Sequence, residues 1–148
     1  MLLNLIVENF VLLDKLELDF SSGLSVITGE TGAGKSLIID AIQGIIGGRL
    51  SPEQIKINCK SSYLEATFSM NEIIKKLLID SDFDVLEENI TLSRTITRSG
   101  SKCRINGQLV SLSFLKLIGD SLIDIIGQNE NQYLFKTEKH RQIIDSLG

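Results

Sequence analysis

Between Gly29 and Ser36 the chain reads Gly-Glu-Thr-Gly-Ala-Gly-Lys-Ser, two glycines bracketing a four-residue gap with a lysine and a hydroxyl directly after the second. Glycine at such positions lets the backbone wrap within hydrogen-bonding distance of an oxyanion, where a Cβ would collide or φ would be forbidden. Successive N–H groups then form an anion cradle, and the helix that follows directs its positive end at the same point. Lys35 adds a point charge between β- and γ-phosphates, and Ser36 offers a hydroxyl to Mg²⁺. The spacing predicts that Gly29, Glu30, Thr31, Gly32, Ala33, Gly34, Lys35 and Ser36 hold ATP or a related nucleotide together with Mg²⁺. Lys35→Ala is expected to remove most of that binding.

Hydrolysis asks for more than binding: a Walker B acid at the end of an apolar strand to help hold the metal, and a group that orients the attacking water. Two segments approach the first requirement and fall short. Leu77-Leu78-Ile79-Asp80 follows Lys75-Lys76 with helical periodicity, which makes Asp80 a helix-end residue, and Leu122-Ile123-Asp124-Ile125-Ile126 carries its acid in mid-strand. Asp80-Ser-Asp82-Phe-Asp84 resembles the start of a calcium loop, but Val85 stands where that loop needs glycine and Thr91 where it needs a bidentate glutamate. His140, the only histidine, has no evident triad partner and reads as a surface side chain of a polar terminal helix.

A phosphate loop works only if a strand and a helix hold its two ends. Leu24 to Thr28 is expected to be the short apolar strand that enters the loop. Ser36 to Ile46, apolar on most sides, is expected to be the helix that leaves it, ended by Gly47 and Gly48. Ahead of the loop, Leu2 to Phe10 and Leu16 to Phe20 alternate as a strand pair turned at Asp14 and Lys15. Beyond an exposed loop around Pro52, Tyr63 to Met70 reads as a strand and Asn71 to Ile79 as a helix capped by Asn71. Ile90 to Arg98 and Lys102 to Asn106 form a hairpin turned at Ser99-Gly100-Ser101. Ser111 or Ser113 caps a short helix to Ile118, Leu122 to Ile126 is a compact strand ending at Gly127-Gln128, and Thr137 to Leu147 is a closing helix. Strands and helices mixed around a strand-loop-helix site predict one α/β domain of P-loop NTPase type over residues 1–148, with a mixed sheet and an antiparallel strand region.

Composition agrees with one packed domain: 148 residues, 43% hydrophobic and 23% charged, at which length folding removes roughly 70% of the unfolded chain's surface from water. The apolar runs are broken by Asn4, Glu8, Asp14, Asp40 and Asp124, far short of a membrane span, and Met1 to Phe10 lacks the basic start and cleavage site of an export signal. Cys59 and Cys103 stand apart with no ligand-spaced neighbour, as expected of two reduced thiols in a cytoplasmic protein. The net charge of −4 is unevenly spread. Asp80 to Glu88 holds five acids and no base, whereas Ile90 to Gln108 holds Arg94, Arg98, Lys102 and Arg104 and no acid. That unopposed hairpin is either a place for nucleic-acid phosphates or a solvated strand face.

Taken together, Leu5-x-Val7-x-Asn9-Phe10, Thr28 to Ser36, Ile38-Ile-Asp-Ala-Ile42, Gly47-Gly-Arg49, Arg104-Ile-Asn-Gly107 and Asp124-Ile-Ile-Gly-Gln-Asn-Glu-Asn-Gln132 resemble one family along nearly the whole chain. It is the N-terminal part of the RecN-type bacterial DNA repair ATPases, relatives of the structural-maintenance-of-chromosomes (SMC) proteins within the ABC-type ATPases. The phosphate loop alone also resembles that of some helicases, but an antiparallel strand pair before the loop and Ser-Leu-Ile-Ile-Asp-Ala after the lysine separate the two.

The resemblance implies that Gln128 is a Q-loop glutamine reaching Mg²⁺ and the attacking water. The family more often carries histidines close after it, where this chain has Asn129 and Asn131. Arg49 resembles an arginine that related heads place near nucleotide or DNA, and equally suits a solvated helix end. Phe10 could border the adenine; as a strand-end aromatic it is better read as core. In the family the signature motif and Walker B acid lie far downstream, beyond a coiled coil, and pack back onto the N-terminal part. The expectation is therefore half a head that binds ATP, hydrolyses it poorly alone, closes on a second head, and meets DNA in the cytoplasm as part of a larger protein. Two other functions fit the loop: a nucleotide-clamped chromosome scaffold with incidental turnover, and a small-molecule P-loop kinase, against which the leading strand pair argues.

Overall fold

A computed structural model describes residues 1–28 and 33–125. Six strands form one sheet in the order β2-β1-β3-β4-β5-β6, and every pairing among the described residues is antiparallel. The strands are β1 (Leu2–Phe10), β2 (Leu13–Asp19), β3 (Ser61–Ser69), β4 (Asn89–Thr97), β5 (Gly100–Ile105) and β6 (Gln108–Val110). Alternate residues of β3 and β4 (Leu64, Ala66, Phe68, Ile90, Leu92 and Ile96) are buried, so one face is apolar and carries the core. The other face is mainly polar, the pattern of an antiparallel sheet covered on one side.

The first hairpin turns earlier than Asp14 and Lys15 predict. Asn9 and Val11 take left-handed φ values of 53° and 51°, and Val11 and Leu12 form the turn. The cause is a long-range clamp. Val11 N–H donates to the Gln54 carbonyl at 2.7 Å, Lys56 N–H to the Asn9 carbonyl at 2.9 Å, and Phe10 bridges to Ile55 while its ring is wholly buried. Asp14 and Lys15 lie instead inside β2, where their charges suit an edge strand: Lys15 pairs with Glu8 at 3.6 Å and Asp14 with Lys56.

Helix α1 (Ala33–Ile45) lies on the apolar face and buries Leu37, Ile38, Ala41, Ile42 and Ile45 against β1, β3 and β4. It ends as Gly47 and Gly48 require. Gly47, at φ 103°, donates to the Gly44 carbonyl at 3.3 Å, and Gly48 donates to the Gln43 carbonyl at 2.8 Å, together a Schellman motif. Contrary to expectation, the opposite side of α1 is not covered: Ser36, Ile39 and Asp40 are exposed. Nor do residues 24–28 pair as a strand among the described residues, and Leu24, Val26 and Ile27 are exposed at 92%, 71% and 41%.

The Pro52 loop contains a short 3-10 turn, Pro52–Gln54, in which the Gln54 side chain accepts from Ser51 N–H at 2.8 Å. Helix α2 (Glu72–Ile79) starts where Asn71 Oδ1 accepts from Ile74 N–H at 2.9 Å and stops at Asp80, its C-cap, so Asp80 does end a helix. The β4–β5 turn is tighter than expected, because Gly100 and Ser101 already pair with Thr97 and Ile96. Asn106 and Gly107, both at positive φ (48° and 81°), then reverse the chain into β6, a strand the sequence reading did not anticipate. Helix α3 (Leu112–Leu122), capped by Ser111 Oγ accepting from Phe114 N–H at 3.2 Å, runs past Ile118 and takes in Leu122. The strand expected over Leu122 to Ile126 is therefore corrected to a helix end followed by three residues that join no strand among the described residues, with Ile126 outside the described part.

Candidate nucleotide site and basic hairpin

The first turn of α1 carries the described half of the phosphate loop: Ala33, Gly34, Lys35 and Ser36. No acid stands in that turn to compete with an anion for the positive helix end. Lys35 is half-buried and Ser36 exposed. Gly34 is exposed too, and a Cβ added to it would meet nothing within 4 Å, so its backbone can be approached closely from outside. Backbone donors, an ammonium and a hydroxyl on one helix turn form the donor set that a triphosphate with Mg²⁺ requires. Gly29, Glu30, Thr31 and Gly32 lie outside the described residues, as do Gln128, Asn129, Asn131 and His140.

Arg49 follows the Schellman motif and is exposed. The two ends of a 13-residue helix are about 20 Å apart at 1.5 Å per residue, so Arg49 and the phosphate-loop turn do not meet within this chain. Phe10 is core, with none of its surface exposed. Among the described residues no cluster of three or more His, Cys, Asp or Glu side chains could hold a metal, and both cysteines are free thiols.

The basic hairpin divides in two. Lys102 and Arg104 alternate onto the polar face of the sheet. Lys102 stands in one row with Thr95 and Tyr63, Arg104 in the next with Ser93 and Glu65. Lys102 and Arg98, the latter in the turn, are exposed, whereas Arg104 is half-buried. Tyr63 donates its hydroxyl to Glu65, and burial together with that carboxylate pushes the phenol pKa above its ordinary value, leaving a neutral donor beside the bases. Glu8, Glu17 and Asp19 sit on β1 and β2, where Lys15 is paired to Glu8, so the unopposed bases of the polar face lie on the β4–β5 side.

Arg94 does not belong to that surface. It is 2% exposed on the apolar face, where its guanidinium donates to the Gly44 carbonyl at 2.7 Å, the Gly48 carbonyl at 2.6 Å and Ser101 Oγ at 3.0 Å. Contrary to the expectation from the sequence, Arg94 does not stand with Arg98, Lys102 and Arg104 as a nucleotide or nucleic-acid contact, since every phosphate would have to reach it through the core. The sequence held the signal: Arg94 falls in the same alternation as Ile90, Leu92 and Ile96.

Comparison with known proteins agrees with this geometry. The family described as AAA domain matches residues 4–147. The DNA repair protein RecN of Bacillus subtilis is 42% identical over 151 residues, covering 100% of this chain and 26% of its own length. That of Halalkalibacterium halodurans is 40% identical over 151 residues, covering 100% of this chain and 27% of its own length. The chain thus spans about a quarter of the curated relatives it matches. A structure solved in work on the ATP-driven dimerization and DNA stimulated activation of SMC ATPases superposes with a TM-score of 0.69 at 23% identity, over 99% of each chain. A phosphate-loop helix on an antiparallel sheet, a matching family and a matching fold lead to one conclusion: the chain belongs to the AAA-domain family and has the fold of the N-terminal lobe of an SMC-type ATPase head.

Proposed function

We propose that this chain is the nucleotide-holding half of a RecN-like DNA repair ATPase head, in which Gly29 to Ser36 bind MgATP and the rest of the catalytic machinery comes from a downstream segment. The observation that carries the reading is the first turn of α1, which brings backbone donors, Lys35 and Ser36 onto one helix end and contains no acid of its own. Lys35 sets its ammonium against the β- and γ-phosphates, Ser36 turns its hydroxyl to the metal, and the helix end stabilises the negative charge between them. Mg²⁺, when bound, would be held with the help of Ser36 and Gln128 and would offset negative charge on the phosphates. Gln128 orients the attacking water.

Support for a downstream partner comes from Leu24, Val26, Ile27 and Ile39, a set of exposed apolar side chains that packing by the other half of the head would cover. Arg98, Lys102 and Arg104 provide phosphate contacts for DNA in the assembled protein, with Arg49 a further contact to nucleotide or DNA. Two such heads close on ATP and open after hydrolysis, in the cytoplasm and on the nucleoid. Among the described residues no helix is long and apolar enough to cross a membrane.

The test is to measure MgATP affinity and turnover for this chain alone and with the downstream segment added. Binding without turnover, then turnover on adding the partner, is the expected result. Unchanged affinity in Lys35→Ala, or phosphotransfer to small molecules by the chain alone, would overturn the reading.

A further inference from the structure

Arg94 is a buried cation with no carboxylate paired to it among the described residues. Its Nε has no hydrogen-bond partner, and burial draws its pKa below the ordinary guanidinium value, partly opposed by the Cys103 thiol. An apolar side chain of similar volume could fill the same space without the cost of desolvating a charge. What an apolar side chain cannot do is fix direction. A planar guanidinium fork holds its acceptors at set angles, and here the three acceptors belong to two different parts of the chain.

Two of them, the Gly44 and Gly48 carbonyls, lie at the negative C-terminal end of α1, and the third, Ser101 Oγ, is in β5 across the hairpin from Arg94 itself. The same helix end is wedged from the other side. A Cβ on Gly47 would lie 2.7 Å from the Lys116 backbone, and one on Gly119 would lie 2.5 Å from the Ile46 carbonyl, so α3 and the end of α1 have no room to slide. A helix seized at one end passes a displacement to the other, and α1 carries the phosphate-loop turn there.

We infer that Arg94 is a positioning residue that fastens the β4–β5 hairpin to the C-terminal end of α1, so that a shift of the hairpin is transmitted along the helix to the phosphate-loop turn. The inference rests on the nucleotide reading above for its functional meaning, and on geometry alone for its mechanics. On that reading, a polyanion held by Arg98 and Lys102 would alter how Lys35 and Ser36 meet a triphosphate.

The experiment is amide hydrogen exchange in the whole 148-residue chain, read at residues 37 to 40, one turn or more from the nearest atom that Arg94 touches. Arg94→Met is expected to speed exchange there about tenfold, with β1 and β3 unchanged, and Arg94→Lys to recover most of the protection. Ser101→Ala leaves every contact to α1 and the β4–β5 backbone pairing in place and removes only the guanidinium's bond to β5; it is expected to speed the same amides about threefold. Acceleration confined to residues 42 to 50 in Arg94→Met would show a local structural role and overturn the inference. If Arg94→Met loosens the whole sheet, Ser101→Ala decides alone, and wild-type exchange at residues 37 to 40 in that variant overturns it. The readout needs no nucleotide, so a chain that failed to bind MgATP would sink the proposed function and leave this inference standing.

Discussion

The two ends of α1 are built on opposite plans. At its N-terminal end Gly34 and Ser36 are exposed and the preceding apolar residues 24, 26 and 27 are uncovered. At its C-terminal end a Schellman turn, a buried arginine and two helix-to-glycine contacts leave no freedom. The difference separates anchoring from recognition. Substitutions at the closed end are expected to change stability first, and those at the open end to change ligand affinity first.

Gly47→Ala is the severest test of the closed end. It forces a side chain into the left-handed region and against Lys116, with an expected loss of about 3 kcal/mol in urea unfolding. A loss below about 1 kcal/mol would mean that the end of α1 is looser than described. Lys35→Ala makes the opposite case: on the order of a hundredfold weaker MgATP binding by calorimetry, at a stability cost under about 1 kcal/mol. A large fall in stability with affinity preserved would reverse the comparison.

Smaller effects sharpen it. Asn71→Ala removes the side-chain acceptor at the start of α2 and is expected to cost about 1 kcal/mol, a scale against which the α1 variants can be judged. Arg98→Glu with Lys102→Glu touches neither end of α1 directly and should change stability by no more than about 0.5 kcal/mol. In the complete protein it should weaken DNA binding and flatten the slope of affinity against salt by roughly two phosphate contacts. An unchanged slope removes the hairpin from the DNA surface.

Much of this was legible in local chemistry. Asn71 and Ser111 announce helix starts because a side-chain oxygen must take a first-turn N–H, and Gly47-Gly48 announces an end because only glycine enters the left-handed turn cheaply. Errors arose where distant segments decide. Asp14 and Lys15 looked like a turn because they are polar, but polarity equally suits an edge strand, and the turn was placed by backbone bonds to residues 54 and 56. Apolar residues 24–28 looked like a strand, but strand formation needs a neighbour to pair with, and none stands beside them among the described residues. For the candidate site, residue types and spacing located the phosphate-loop turn, while grouping four bases by charge alone hid the alternation that turns Arg94 inward.

The outermost strand has a consequence of its own. Among the described residues β2 is an edge strand that presents Asp14, Lys15, Glu17 and Asp19 to water, and the far edge, β6, is three residues long. A second chain seeking to extend this sheet would meet charges of both signs at one border and too short a template at the other. Growth by strand addition is thereby discouraged at both rims of the described sheet, which leaves its faces and helix ends as the surfaces where a meeting could be made and undone without unzipping a ladder.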